Sequence, residues 1–176
     1  LATLAAERGH RADIGTTAIW HYPSLDPKGK LLFIHGFRGD HHGLAAIAGA
    51  LVDYEVLIPD LPGYGKTPEL QKHNLESYAN WLIGLVDQIG PDVVVIGHSF
   101  GSLVVSKAVS QRMRARAIVL QNPITTKASE QNDLANKIAR SFYSLAISLG
   151  RLGSGLLRSW LVVRVMSVAM ATSKSL

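Results

Sequence analysis

Apolar and polar positions along the chain fall into two kinds of block: short runs with little polar interruption, and longer stretches whose apolar residues recur three and four apart. Lys30-Leu31-Leu32-Phe33-Ile34 and Val93-Val94-Val95-Ile96 are of the first kind. Continuous apolar runs of this length are what strands buried on both faces of a parallel sheet look like. Thr17 to Tyr22 reads as a further strand ahead of the turn-rich Pro23 to Gly29. Tyr54 to Ile58 is another, broken by Pro59, and Ala117 to Leu120 another, ahead of Pro123.

Between these runs the period lengthens. Leu44 to Val52 reads as a helix of small residues. From Asn74, a suitable N-cap, Leu75, Tyr78, Ala79, Leu82, Leu85, Val86 and Ile89 line one helical face, and Gly90-Pro91 ends it. Phe100 to Gln111 reads as the next helix. Strand and helix alternating at this spacing predict right-handed crossovers: an α/β fold with a doubly wound, mostly parallel sheet and helices on both faces. From Ala128 the texture changes. Helical spacing runs on through Ile138, Phe142, Leu145 and Leu149 and past the glycines at 150, 153 and 155, with the β-rich composition of Trp160 to Met166 leaving a strand there as an alternative.

Composition adds limits. With 176 residues, 47% hydrophobic and 18% charged, the chain has material for one sizeable core. The absence of cysteine excludes a disulfide scaffold, a thiolate zinc site and a cysteine nucleophile, and suits a reducing, cytoplasmic setting. Leu1 to Ala6 is too short an apolar stretch for a signal peptide and is followed by Glu7-Arg8. Arg151, Arg158 and Arg164 interrupt the apolar tail from Phe142 to Met170, so no transmembrane span is expected. Residues 1–100 hold 7 Lys+Arg against 11 Asp+Glu and residues 101–176 hold 11 against 2, which hides an asymmetry inside the net charge of +5. The basic residues are spread among apolar ones rather than clustered with aromatics. They read as solvated helix faces, with no nucleic-acid partner expected and a membrane-surface module as the weakest reading.

The candidate chemistry centres on Gly97-His98-Ser99-Phe100-Gly101, a G-x-S-x-G pattern lying after a buried strand and before a helix. A sharp turn there lifts the Ser99 hydroxyl into a cleft at the strand's carboxyl end, and Gly97 and Gly101 remove side chains that would collide with their neighbours. Two other features carry less. Gly65-Lys66-Thr67 matches the end of a phosphate-binding loop, but position 60 is aspartate where that loop needs glycine. His41-His42 suggests a metal, yet adjacent side chains on a forming helix are expected to point apart and no carboxylate cluster completes a site, so no metal or cofactor is expected.

Three motifs together resemble the α/β-hydrolase superfamily over roughly residues 17 to 123. His35-Gly36-Phe37 after the strand Leu31 to Ile34 is similar to its H-G segment, Asp60-Leu61-Pro62-Gly63-Tyr64-Gly65 to its D-x-x-G-x-G loop, and Gly97 to Gly101 to its nucleophile elbow. The resemblance implies that Ser99 is a nucleophile forming a covalent acyl intermediate, with the amides of Phe37 and Phe100 as the oxyanion hole. His35 and His98 then read as packed, hydrogen-bonded supports of the motifs rather than as bases.

One departure stands out. The family's order is serine, acid, histidine, but all seven histidines, at 10, 21, 35, 41, 42, 73 and 98, precede Ser99. Downstream carboxylates are limited to Glu130 and Asp133, and Asn122, at a place where some members carry the acid, cannot ionise. Either the fold has been kept and the reaction lost, or the chain stops before the last core strands. The non-methionine start and the three intact motifs favour the second. On that reading residues 1–127 are the N-terminal part of the core, 128–176 begin a helical cap, and the fragment alone is inactive. The expected parent is a serine hydrolase acting on a small, apolar ester or related acyl compound. The alternatives are a carbon–carbon bond hydrolase and a non-catalytic ligand-binding homologue. The sequence sets no oligomeric state.

Overall fold

A computed structural model of the chain describes residues 2–124, with side chains from Ala5 onward. The expected cap over 128–176 and the alternative strand at Trp160 to Met166 lie outside the described residues. Six strands form one sheet: β1 (His10–Ile14), β2 (Thr17–Tyr22), β3 (Lys30–Ile34), β4 (Glu55–Pro59), β5 (Val93–His98) and β6 (Ala117–Gln121). Their spatial order is β1-β2-β4-β3-β5-β6. β3 pairs in parallel with β4 and β5, and β5 with β6, whereas β2 runs antiparallel to both β1 and β4.

The four helices are α1 (Ala2–Arg8), α2 (His42–Ala50), α3 (Leu75–Ile89) and α4 (Phe100–Ser110). Strand parity divides the core into two layers, because successive residues of a strand face opposite ways. Leu32, Ile34, Leu57, Val93 and Val95 join Leu82, Val86 and Val104 of α3 and α4 on one side. Phe33, Val56, Ile58 and Ile96 join Ala5, Leu44 and Ala48 of α1 and α2 on the other. Helices therefore cover both faces, as the uninterrupted apolar runs predict.

Two elements were not expected. β1 carries only Ala12 and Ile14 as apolar residues and is largely exposed, so it has no burial pattern to read; it is held by the Gly15-Thr16 hairpin to β2. α1 is a seven-residue helix tied down by its last residue. The Arg8 guanidinium donates to the Ala48, Gly49 and Leu51 carbonyls at the end of α2 and to Pro23 O. That is a favourable place for a cation, where helical carbonyls lack intrahelical partners.

The topology also positions a cleft. From β3 the chain crosses to β4 on one side, and from β5 to β6 on the other. The connections leaving β3 and β5 thus part in opposite directions, and such a switch point opens a crevice at the carboxyl ends of the two strands.

Candidate active site

Ser99 sits in that crevice, between the end of β5 and the first residue of α4. Its backbone has φ +52° and ψ −118°, a conformation that costs a residue with a side chain about 1–3 kcal/mol. The surroundings enforce it. The Ser99 N–H donates to Gln121 O at the end of β6 at 3.0 Å, and the Ser102 N–H donates to Ser99 O at 2.9 Å. A Cβ on Gly97 would lie 2.7 Å from Gly101 O, and one on Gly101 would lie 2.8 Å from His35 O and closer still to Ile34 O. No side chain larger than hydrogen fits at either position, so the two glycines let β5, α4 and β3 meet at the elbow.

Among the described residues, the non-glycine positions with positive φ are Arg38, Ser99, Arg112 and Asn122; Arg38, Ser99 and Asn122 follow β3, β5 and β6, and Arg112 follows α4. Arg38 lies at the third position of a turn closed by Gly39 N–H to Gly36 O, the position where a type II turn asks for positive φ. This turn carries Phe37. A Cβ on Gly36 would be 3.2 Å from Ser99 Cβ and 3.4 Å from His98 Nδ1, so the His35-Gly36-Phe37 segment and the elbow abut directly. Phe100 is the first residue of α4, where an amide has no intrahelical acceptor.

Aromatic rings wall this end of the sheet. Phe37 is 62% exposed and stands edge-on to Phe100 at 6.0 Å and to Tyr64 at 6.1 Å, while Phe100 meets Tyr78 at 5.6 Å. Beside the elbow lies a cavity of about 240 Å³ bordered by His35, Phe37, Asp40, Leu44, His98 and Gln121.

His35 is buried and hydrogen-bonded at both ring nitrogens. It is 2% exposed, its Nε2 accepts the Leu61 N–H at 2.9 Å, and its Nδ1 donates to Gly36 O at 2.9 Å. With Nε2 accepting, the proton belongs on Nδ1 and both nitrogens are occupied. Burial holds its pKa below the usual histidine value, partly opposed by the Gly36 carbonyl and the Asp60 and Asp40 carboxylates. His98 borders the cavity, half-buried.

Sequence reasoning missed the role of Asp60. Its fully buried carboxylate accepts from His41 N–H at 3.0 Å and His41 Nδ1 at 2.9 Å on one oxygen, and from Lys66 N–H at 2.8 Å on the other. The signal was present as the aspartate ending an apolar strand. The expectation that His41 and His42 point apart is corrected. Their rings lie 3.9 Å apart, because His41 precedes α2 and its ring turns inward onto Trp20, stacking at 3.2 Å. Asp40, His41 and His42 bring potential ligand atoms within 4.8 Å of one another. Each histidine already hydrogen-bonds a carboxylate, His41 to Asp60 and His42 to Asp40. Among the described residues no helix is long and apolar enough to cross a membrane.

Comparison with known proteins gives this geometry relatives. A family model described as Alpha/beta hydrolase family matches residues 31–171. The chain is 33% identical over 82 residues to a 2-succinyl-6-hydroxy-2,4-cyclohexadiene-1-carboxylate synthase of Escherichia coli, a match covering 46% of this chain and 32% of that protein. It is 31% identical over 107 residues to the lipase LipV of Mycobacterium tuberculosis, covering 58% of this chain and 41% of that one. A solved structure of a lipase-esterase related protein from Clostridium acetobutylicum superposes with a TM-score of 0.62 at 18% identity, over 72% of this chain and 55% of that one. The matches therefore span less than half the length of these two curated relatives.

Proposed function

The chain belongs to the alpha/beta hydrolase family, and from that premise we propose that it is the nucleophile-bearing part of a serine hydrolase acting on a carboxylic ester or related acyl compound. The observation that carries the reading is the strained Ser99 backbone at the mouth of the β3/β5 crevice. Strain of this size persists where the surrounding structure enforces it, and it gathers at functional sites. In the proposed reaction the Ser99 oxygen attacks the acyl carbon and the leaving group departs with a proton. Water then attacks the acyl-enzyme, releasing the acid and restoring the hydroxyl. The amides of Phe37 and Phe100 stabilise the oxyanion in both steps, Gly36, Gly97 and Gly101 allow the close approach, and His35 and His98 support the loops. The rings of Phe37, Tyr64 and Phe100 favour an apolar acyl substrate.

The base is not His35, whose two ring nitrogens are committed. No histidine follows Ser99 within the 176 residues, so residues 1–176 by themselves are proposed to turn over little substrate. In the same reading residues 1–127 belong to the core, 128–176 to a cap, and the protein works in the cytoplasm without a cofactor. A fluorophosphonate probe tests the proposal: it labels the folded full-length protein and fails on Ser99→Ala, and absence of labelling on the folded parent would refute it. A carbon–carbon bond hydrolase is the second reading, since the same serine apparatus can serve it. It predicts Ser99 labelling without hydrolysis of simple p-nitrophenyl esters.

A further inference from the structure

Ser99 and Phe100 share a peptide group whose two ends face different partners. The N–H end is the Phe100 amide, one of the two proposed oxyanion donors. The C=O end is Ser99 O, which accepts from Ser102 twice, from its N–H at 2.9 Å and from its Oγ–H at 2.6 Å. The Ser102 hydroxyl oxygen also accepts the Ile124 N–H at 3.3 Å, and the residue is 1% exposed. Ser110 makes the same local bond to Lys107 O at 2.7 Å, but on the surface, and that bond is an ordinary serine back-bond near a helix end. Burial and the second partner set Ser102 apart.

A peptide group is planar, so fixing the direction of its carbonyl fixes the direction of its N–H. Hydrogen bonds accepted by a carbonyl also polarise the amide and strengthen the bond its N–H donates, the more so in a low-dielectric interior. We infer that Ser102 is a positioning residue for the oxyanion hole: its hydroxyl aims and strengthens the Phe100 N–H and locks the elbow to the exit of β6. The inference rests on the hydrolase reading above.

The test uses folded full-length protein, with p-nitrophenyl butyrate as substrate, a fluorophosphonate as label and an alkyl boronic acid as a mimic of the oxyanion. Ser102→Ala lowers kcat and the labelling rate about tenfold, less than the loss of an oxyanion donor itself. It weakens boronic acid inhibition by a similar factor and leaves KM within about twofold. Ser102→Thr, which restores the hydroxyl, recovers all three. Should Ser102→Ala fail to fold, Ser102→Cys, close in size but a weak donor, carries the comparison with the same expected losses. Parent rates in folded Ser102→Ala or Ser102→Cys, a rise in KM with kcat unchanged, or a loss that Ser102→Thr does not recover each overturn the inference while leaving Ser99 in place. Labelling that persists in Ser99→Ala overturns the hydrolase reading and this inference together.

Discussion

His35 Nε2 accepts the backbone N–H of Leu61 at 2.9 Å, joining the loop after β3 to the loop after β4 beneath the candidate site. An imidazole in that role must stay neutral, because a protonated ring would point a second N–H at the Leu61 donor. The interaction therefore links the shape of the site to pH.

The sign follows from the burial that depresses the His35 pKa below its ordinary 6.5. Below that value the unfolded chain takes up a proton that the folded chain resists. The His35 contribution to stability is present above about pH 6.5 and drains as the pH falls toward the folded-state pKa, by up to about 1.4 kcal/mol per pH unit for one such group. His21, its pKa also lowered chiefly by burial, adds a contribution of the same sign. Urea titrations between about pH 7 and about pH 5 are expected to show this slope, reduced by about one proton in His35→Gln. An unchanged slope in that variant would contradict the assignment.

Ser99→Gly is expected to be more stable than Ser99→Ala by about 1 kcal/mol, because glycine accepts positive φ without penalty while alanine keeps the strain. Chemical denaturation of the two variants checks it, and equal stabilities would remove the argument for enforced strain.

Glycines in this fold divide sharply. Gly101→Ala drives a methyl group into the carbonyls of Ile34 and His35 and is expected to cost about 3 kcal/mol. Gly84→Ala, in the middle of α3 with nothing within 4 Å of the new methyl, is expected to gain about 1 kcal/mol. Melting temperatures moving in opposite directions would bear this out, and a tolerated Gly101→Ala would not fit the packing.

Asp60→Ala leaves three donors, His41 N–H, His41 Nδ1 and Lys66 N–H, without their buried acceptor. The expected loss is about 3 kcal/mol or more. Asp60→Asn should lose about half as much, since it keeps one acceptor oxygen but sets an N–H group against the Lys66 N–H. Equal losses in both variants, measured by denaturant unfolding, would mean that shape rather than hydrogen bonding matters there.

The parts of the fold that were legible are those where one physical demand dominates. β3 and β5 lie inside the sheet with helices on both faces, and their runs of apolar residues state that directly. α3 is amphipathic and its Asn74 side chain does accept from Ser77 N–H at 2.8 Å, so both its face and its start could be read. β1 could not, since an exposed edge strand buries too little to leave a pattern. At the site, Ser99 and its flanking glycines were visible because close packing restricts residue type. The positive φ of Arg38 and Asn122 was not, since neither residue type demands it. The inward turn of His41 depends on Trp20 and Asp60, which are distant in sequence, and neighbour spacing on a helix says nothing about them.

The clamp on Ser99 also makes the elbow a clock for assembly. Its amide is held by Gln121, and its helix packs through Gly101 on Ile34 and His35, so the turn requires β3, β5 and β6 to be side by side. Hydrogen exchange at the Ser99 amide should slow only once the last of these strands has docked. That single proton would then time the closing of contacts made across some ninety residues of chain, from the end of β3 to β6.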